Sequence, residues 1–305
     1  MSGLSTLVRP VLGPLLALAL LFVGPLSVAA PPCEVGAAQV ELAGGTLHFS
    51  RTGHGPPVVL LHGLFAQKEQ WHELACALSA AGFEVLAPDL PGFGGSEGFA
   101  ITDYDFARQV ALLDDLADAL GFVRFDLAGN SMGGAIAALY AVRHPERVGR
   151  LAFIGAPLGW VDWGPDLRQA ILEGVNPFIP VDRVQLVREM RLLFVRPPAL
   201  PATVGERLIE DYRVHLDHYR RVWDIVGLFG RVLADGTVDA LAGTGPVLIL
   251  WGEGDAIYPV AGAASLHARL PQSRLVVLPE AGHLPMLERP AETAAVLIDF
   301  LGARD

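Results

Sequence analysis

Gly129-Asn130-Ser131-Met132-Gly133-Gly134 is the stretch from which this chain is best read. The apolar run Phe122 to Leu127 leads in with the character of a strand, and Ala135 to His144 leads out with the character of a helix. A strand, a G-x-S-x-G turn and a helix in that order make a nucleophile elbow. The turn is so tight that its serine is held at a strained backbone angle, and small residues on both flanks, Gly129 and Gly133, let strand and helix approach. The strain presents the Ser131 hydroxyl at the N-terminus of the next helix, where free N–H groups and the helix dipole favour developing negative charge. A bare G-x-S-x-G is also met in Gly-rich turns that merely expose a serine, so the surroundings decide.

Outward from the elbow, strands alternate with helices. Before it come a hairpin, Gln39–Glu41 and Thr46–Ser50 across Gly44-Gly45, and the buried strand Pro57–Leu61 ending in His62-Gly63-Leu64-Phe65. The helix Trp71–Ala81 follows, then the strand Phe83–Ala87, the turn-rich Asp89-Leu90-Pro91-Gly92-Phe93-Gly94-Gly95-Ser96 and the helix Phe106–Leu120. After it comes the strand Arg150–Ile154. Such alternation implies parallel strands with helical crossovers, an α/β class. From Gly159 to about Thr244 no strand is evident. Val184, Val187, Met190 and Phe194 predict one amphipathic helix, and Leu208, Tyr212, Leu216, Tyr219, Trp223 and Val226 a longer one, with a Pro-rich breaker at Val195–Pro201 between them. The reading is a core of residues 36–158 and 244–303 interrupted by a helical cap insertion at 159–243. The core resumes with strand Pro246–Trp251, helix Ala261–Leu270, strand Arg274–Leu278 and helix Pro290–Leu301.

The chain has 305 residues, 52% hydrophobic and 18% charged, enough for a large buried core. A net charge of −11 without a basic cluster argues against nucleic acid as partner and against simple electrostatic docking on anionic lipid. Residues 1–30 read as a signal peptide or N-terminal anchor. Arg9 is the positive end, Val11–Val23 is apolar, and Ser27-Val28-Ala29 offers small residues for cleavage before Ala30. The uncharged stretch Val11–Ala30 is also long enough to stay as a membrane anchor. Cleavage implies an extracytoplasmic location, secreted or periplasmic; an uncleaved segment implies membrane association through residues 11–30 and the cap. Ala30-Pro31-Pro32 before Cys33 is a poor lipobox. Cys76, in its helical run, reads as a small buried hydrophobe, with a Cys33–Cys76 disulfide left open. There is no C-x-x-C and no His/Cys cluster at metal-ligand spacing, so neither metal nor cofactor is expected.

A serine nucleophile needs a base and an acid that orients it. Asp255 follows strand Pro246–Trp251 in Trp251-Gly252-Glu253-Gly254-Asp255, and His283 follows strand Arg274–Leu278 in Gly282-His283-Leu284-Pro285. Both lie at strand C-termini, where open α/β sheets bind ligands. A turn residue or helix cap before Pro259 is the other reading of Asp255, and Glu253 is the nearest alternative acid. Met132 N–H and an N–H from the loop after Pro57–Leu61, Leu64 before Phe65, are the candidate oxyanion donors, with Leu64, Phe65 and Met132 as apolar walls. His62 shapes that loop. In the cap, Trp160, Trp163, Phe178, Ile179, Leu193, Phe194 and Leu200 offer an apolar route for a substrate chain or, alternatively, a packing face.

The order Ser131…Asp255…His283, together with His62-Gly63, Asp89–Ser96, Trp251–Asp255 and Gly282-His283, resembles the α/β-hydrolase superfamily. That resemblance implies a mostly parallel sheet flanked by helices, with the cap as an insertion. Phe194-Val195-Arg196-Pro197-Pro198-Ala199-Leu200-Pro201 and Gly282-His283-Leu284-Pro285-Met286-Leu287-Glu288-Arg289-Pro290 are similar to stretches of monoacylglycerol lipases and related bacterial lipases and esterases. They imply hydrolysis of an apolar, acyl-glycerol-like ester, with Phe65, Leu193, Phe194 and Leu200 on the substrate. Gly-Asn-Ser-Met-Gly-Gly is also typical of carbon–carbon bond hydrolases of ring-fission products. Those usually have a glycine run where this chain has Gly63-Leu64-Phe65, and often Trp where it has Leu284. A non-catalytic binding module on the same fold is the third reading, although such modules often lack a member of the triad.

Overall fold

Continuous runs of Val, Leu and Ile suit strands buried on both faces, and six such runs form the parallel part of one eight-stranded sheet. The computed structural model describes residues 33–96, 98–228, 233 and 235–303. The proposed signal or anchor segment, residues 1–30, lies outside them. The strands are β1 (Gly36–Leu42), β2 (Gly45–Thr52), β3 (Pro57–Leu61), β4 (Glu84–Pro88), β5 (Phe125–Asn130), β6 (Val148–Ile154), β7 (Val247–Gly252) and β8 (Ser273–Leu278). Their order across the sheet is β1-β2-β4-β3-β5-β6-β7-β8, with β2 antiparallel to both its neighbours and the rest parallel. Register aligns Leu86, Val59, Leu127, Leu151 and Val247 in one row across the centre, all of them buried.

The helices of the core are α1 (His72–Ala80), α2 (Phe106–Ala119), α3 (Met132–Arg143), and, late in the chain, α9 (Ala261–Arg269), α10 (Pro285–Glu288) and α11 (Pro290–Gly302). The insertion between β6 and β7 holds α4 (Pro165–Leu172), α5 (Arg183–Leu193), α6 (Ala202–Val214), α7 (Leu216–Leu228) and α8 (Asp235–Leu241). α1 packs on α11, and α3 packs on α2 and α8. The last of these contacts moves a boundary. Val238 and Leu241 of α8 are fully buried, so the chain has returned to the core before Thr244, where the sequence places the end of the cap.

Other local readings shift for physical reasons. β5 begins at Phe125, not Phe122, because Phe122 closes the end of α2, its N–H donating to the Ala117 carbonyl. The predicted long cap helix is two, since α6 ends at Val214 and α7 begins at Leu216, with His215 between them outside the α-helical range. At α5 the buried face is only partly the predicted one: Met190 and Phe194 are buried as expected, but Val184 and Val187 are exposed, and Leu186, Glu189 and Leu193 are buried in their stead. Cys33 and Cys76 are bonded, Cα atoms 5.5 Å apart, tying the chain ahead of β1 to α1.

Candidate active site

Ser131 lies between β5 and α3 at φ 52° and ψ −114°, a left-handed backbone that a side chain rarely adopts. Close approach on both sides explains the glycines. A Cβ on Gly129 would overlap the backbone of Gly133, and one on Gly133 would overlap the carbonyls of Leu61 and His62. Asn130, 1% exposed, fastens the elbow to its surroundings: its Nδ2 donates to the Ile154 carbonyl at 2.7 Å and to the His283 carbonyl at 3.2 Å. Nothing in the elbow sequence singles out Asn130, whose role is visible only in three dimensions.

Asp255 and His283 leave the C-terminal ends of β7 and β8 and meet below the surface. His283 Nδ1 donates to Asp255 Oδ2 at 2.9 Å, with the imidazole 3% and the carboxylate 0% exposed. That bond leaves Nε2 as the acceptor nitrogen. Asp255 Oδ1 accepts from the N–H groups of Ile257 and Tyr258, both at 2.9 Å, which locks the carboxylate in place. Glu253, the alternative acid, is exposed. The Tyr258 ring stands edge-on to His283, centroids 5.4 Å apart, and its hydroxyl is reached by the Ser131 and Trp163 side chains. Burial pushes that hydroxyl far above the usual phenol range. Tyr258 carries no period or motif, and sequence reading passes over it.

The loop after β3 is held by buried polar groups. His62 Nδ1 donates to the Gly63 carbonyl at 2.8 Å and its Nε2 accepts from Leu90 N–H at 2.9 Å. Complete burial lowers the His62 pKa to about 4, so this imidazole is neutral and shapes the loop. Phe65 sits at φ 58°, and Leu64 and Phe65 line the cavity below the cap. Met132 opens α3, where the first N–H groups of a helix have no intrahelical partner. Its side chain is fully buried and does not line the cavity, so it forms no wall of it, contrary to the sequence reading.

The cavity, of about 620 Å³, joins Ser131 and His283 to Leu158, Trp160, Trp163, Phe178, Leu193 and Trp223. Leu193 is there as expected, and its carbonyl accepts from the His283 backbone N–H at 3.0 Å, joining the end of α5 to the histidine loop. Phe194 and Leu200 are not among the lining residues. Phe194 is 2% exposed in the extended segment after α5, and Leu200 is half-buried against the hydrophobic core. Glu288 staples the same region, its carboxylate accepting from the N–H groups of Val195 at 2.9 Å, Arg196 at 3.2 Å and Gly282. No group of three or more metal-ligating side chains occurs among the described residues.

Comparison with known proteins agrees with this architecture. The model of the Alpha/beta hydrolase family matches residues 58–296. The monoacylglycerol lipase ABHD6 of Bos taurus is 27% identical over 264 residues, covering 83% of this chain and 77% of its own. Lipase 1 of Psychrobacter immobilis is 28% identical over 261 residues, covering 83% and 79%. Among solved structures, a bacterial membrane phospholipase A aligns with a TM-score of 0.78 at 30% identity, covering 88% of this chain and 86% of that one.

Proposed function

This chain belongs to the alpha/beta hydrolase family, and from that premise we propose that it hydrolyses carboxylic esters of apolar acyl groups through an acyl-enzyme on Ser131. The observation that carries the reading is the buried Asp255–His283 pair, 2.9 Å between Nδ1 and Oδ2, whose histidine lines the same largely apolar cavity as the strained serine. Relatives named as lipases, at 27–28% identity, support the choice of an ester. Leu284, in place of Trp, and the absence of a glycine run at Gly63-Leu64-Phe65 favour it over carbon–carbon bond hydrolysis.

The steps follow from the groups present. His283 Nε2 takes the Ser131 proton as Oγ attacks the ester carbonyl. The oxyanion is met by the N–H of Met132 at the start of α3 and the N–H of Leu64. His283, now protonated and held by Asp255, gives its proton to the leaving alcohol, and the C–O bond breaks. A water then loses its proton to His283 and attacks the acyl carbonyl, releasing the acid and restoring the Ser131 hydroxyl. Asp255 keeps the imidazole in one tautomer and balances its charge throughout.

Leu193 belongs to the acyl-binding wall, with Phe65, Trp163, Phe178 and Trp223, while Phe194 and Leu200 act behind it as packing. The Cys33–Cys76 bond supports an oxidising, extracytoplasmic compartment, in keeping with an N-terminal signal or anchor. Among the described residues no helix is long and apolar enough to cross a membrane. The test is a panel of p-nitrophenyl esters from C2 to C16 with monoacylglycerols, run on wild type and Ser131→Ala. Wild type should turn over apolar esters and the variant should not. A ring-fission dienoate cleaved in preference to every ester would overturn the ester reading.

A further inference from the structure

One side chain touches all three members of the triad without belonging to it. Tyr258 is 1% exposed and lines the cavity. Its N–H donates to Asp255 Oδ1 at 2.9 Å, its ring stands edge-on to His283 at 5.4 Å, and its hydroxyl is hydrogen-bonded to the Ser131 side chain. The Trp251 indole N–H donates to the Tyr258 carbonyl at 2.9 Å, so the backbone is fixed on both sides of the ring. The same hydroxyl meets the cap. The segment leaving β6 runs back over the Asp255 turn: Leu158 N–H donates to the Ser131 carbonyl at 3.1 Å and Gly164 N–H to the Ile257 carbonyl at 2.8 Å. A Cβ on Gly164 would overlap the Ala256 carbonyl, so only glycine permits this approach. The docking brings in Trp163, whose side chain is the second hydrogen-bond partner of the Tyr258 hydroxyl. Trp163 also lies 5.6 Å from Trp223 of α7 in the cavity wall.

Hydrogen-bonding capacity fixes the direction of these bonds. The tryptophan side chain has one polar group, an N–H that can only donate, so Tyr258 Oη accepts from it. The phenol proton then goes to the other partner, Ser131 Oγ. Burial keeps the phenol protonated at neutral pH, so it stays a donor. Ser131 Oγ accepts that bond on a lone pair and still has its own proton to give to His283 Nε2. Negative charge builds on Oγ twice in each turnover. It builds first as the Oγ proton leaves for His283. It builds again when the acyl-enzyme is hydrolysed and the C–Oγ bond breaks, its electron pair going to Oγ. A fixed donor aimed at an atom where charge develops is worth most at those moments.

We propose that Tyr258 is a fourth catalytic residue, whose hydroxyl, directed by the Trp163 indole of the cap, donates to Ser131 Oγ and stabilises it both as nucleophile and as leaving group. This rests on the reading of Ser131 as the nucleophile. Tyr258 transfers no proton: Oγ gives its proton to His283 on attack and takes one back from His283 on release, while the bond from Tyr258 tightens and relaxes. The oxyanion donors act on the carbonyl oxygen, and Tyr258 acts on Oγ. Trp163 belongs at once to the acyl wall and to this relay, which ties the cap to the chemistry.

The experiment compares wild type with Tyr258→Phe, Trp163→Phe and the double variant. It measures kcat and KM on p-nitrophenyl esters from C2 to C16, the rate of capture by a fluorophosphonate, the pH profile of kcat/KM and the melting temperature. Tyr258→Phe keeps the ring on His283 and removes only the hydroxyl. It should lower kcat by about 10- to 100-fold with KM within about threefold. The fall should be equal at every acyl length and should appear in the capture rate too, because Oγ is common to all these reactions. The rising limb of the pH profile should stay where it is in wild type, since His283 keeps its neighbours. Trp163→Phe, read on the C2 ester, which leaves the acyl wall empty, should cost about threefold alone and nothing further beside Tyr258→Phe. Wild-type kcat in a folded Tyr258→Phe overturns the proposal. So does a loss that grows with acyl length, which would make Tyr258 a cavity wall, or one explained by a shifted pH limb, which would mean an action on His283. Full additivity of the two substitutions overturns the relay from Trp163. If Tyr258→Phe fails to fold, the half-buried Trp163 carries the test, and an unchanged capture rate in Trp163→Phe overturns the proposal. A wild type inactive on every ester, yet captured faster than Tyr258→Phe, removes the ester reading and keeps Tyr258. Ester turnover that Tyr258→Phe leaves untouched does the reverse.

Discussion

Replacing Glu189 by Gln should raise stability at neutral and alkaline pH while changing it little near pH 5. The carboxyl is buried in α5 with the Tyr212 hydroxyl as its hydrogen-bond partner, and burial lifts its pKa from 4.5 to about 8. Its native pKa is raised, so between 4.5 and about 8 the unfolded chain releases a proton that the folded chain keeps. Folding is then opposed progressively as pH rises through that window, and the penalty levels off above it. Each unit is worth about 1.4 kcal/mol, so from pH 5 to pH 7.5 the penalty grows by roughly 3 kcal/mol. Gln does not titrate and escapes it. Urea unfolding of wild type and Glu189→Gln at pH 5, 6, 7 and 8 measures the difference directly. The variant should gain on wild type by about 3 kcal/mol over that range, on the order of 5–10 °C in melting temperature. Parallel curves for the two proteins would mean that Glu189 is solvated or paired, and its burial would carry no cost.

Phe194→Ala should lower stability by about 3–5 kcal/mol and reduce activity evenly on C2 to C16 esters, since the ring is buried outside the cavity. Trp223→Ala should instead hurt long-chain esters more than short ones, and the ester panel distinguishes the two. Asp255→Asn should cost about 10³–10⁴-fold in kcat. Glu253→Gln should stay near wild type, because Glu253 is exposed and Asp255 holds His283 Nδ1. Replacing Cys33 and Cys76 by Ser opens a loop with a sequence separation of 43 and should cost about 3–4 kcal/mol, read by calorimetry against the oxidised protein.

Much of this site was legible because its signals are local. The elbow needs glycines at fixed offsets from Ser131, and Asp255 and His283 follow apolar runs that can only be buried strands. Those three landmarks already imply the sheet order's functional edge. The cap was less legible. Leu186 and Leu193 share a helical period as good as that of Val184 and Val187, and only tertiary packing turns them inward with Met190 and Glu189. A glutamate on a helix face ordinarily reads as solvated, so nothing in the sequence marks Glu189 as buried. Leu193 and Phe194 are adjacent, and one reaches the cavity while the other does not, a distinction set by where α5 ends. Asn130 and Tyr258 act through atoms far away in sequence, to which no periodic pattern points. α8 is a seven-residue helix, too short for its apolar pattern to stand out, and it is recognised by the core helix it packs on.

The central claim is that Ser131 becomes covalently acylated. Incubation with a fluorophosphonate, followed by intact mass and peptide mapping, measures this at the nucleophile itself. One adduct per chain on Ser131 is the expected result, absent in Ser131→Ala and greatly slowed in His283→Ala while both variants keep the wild-type melting profile. An adduct on another residue, or ester hydrolysis that survives in Ser131→Ala at more than about a thousandth of the wild-type rate, would contradict the account.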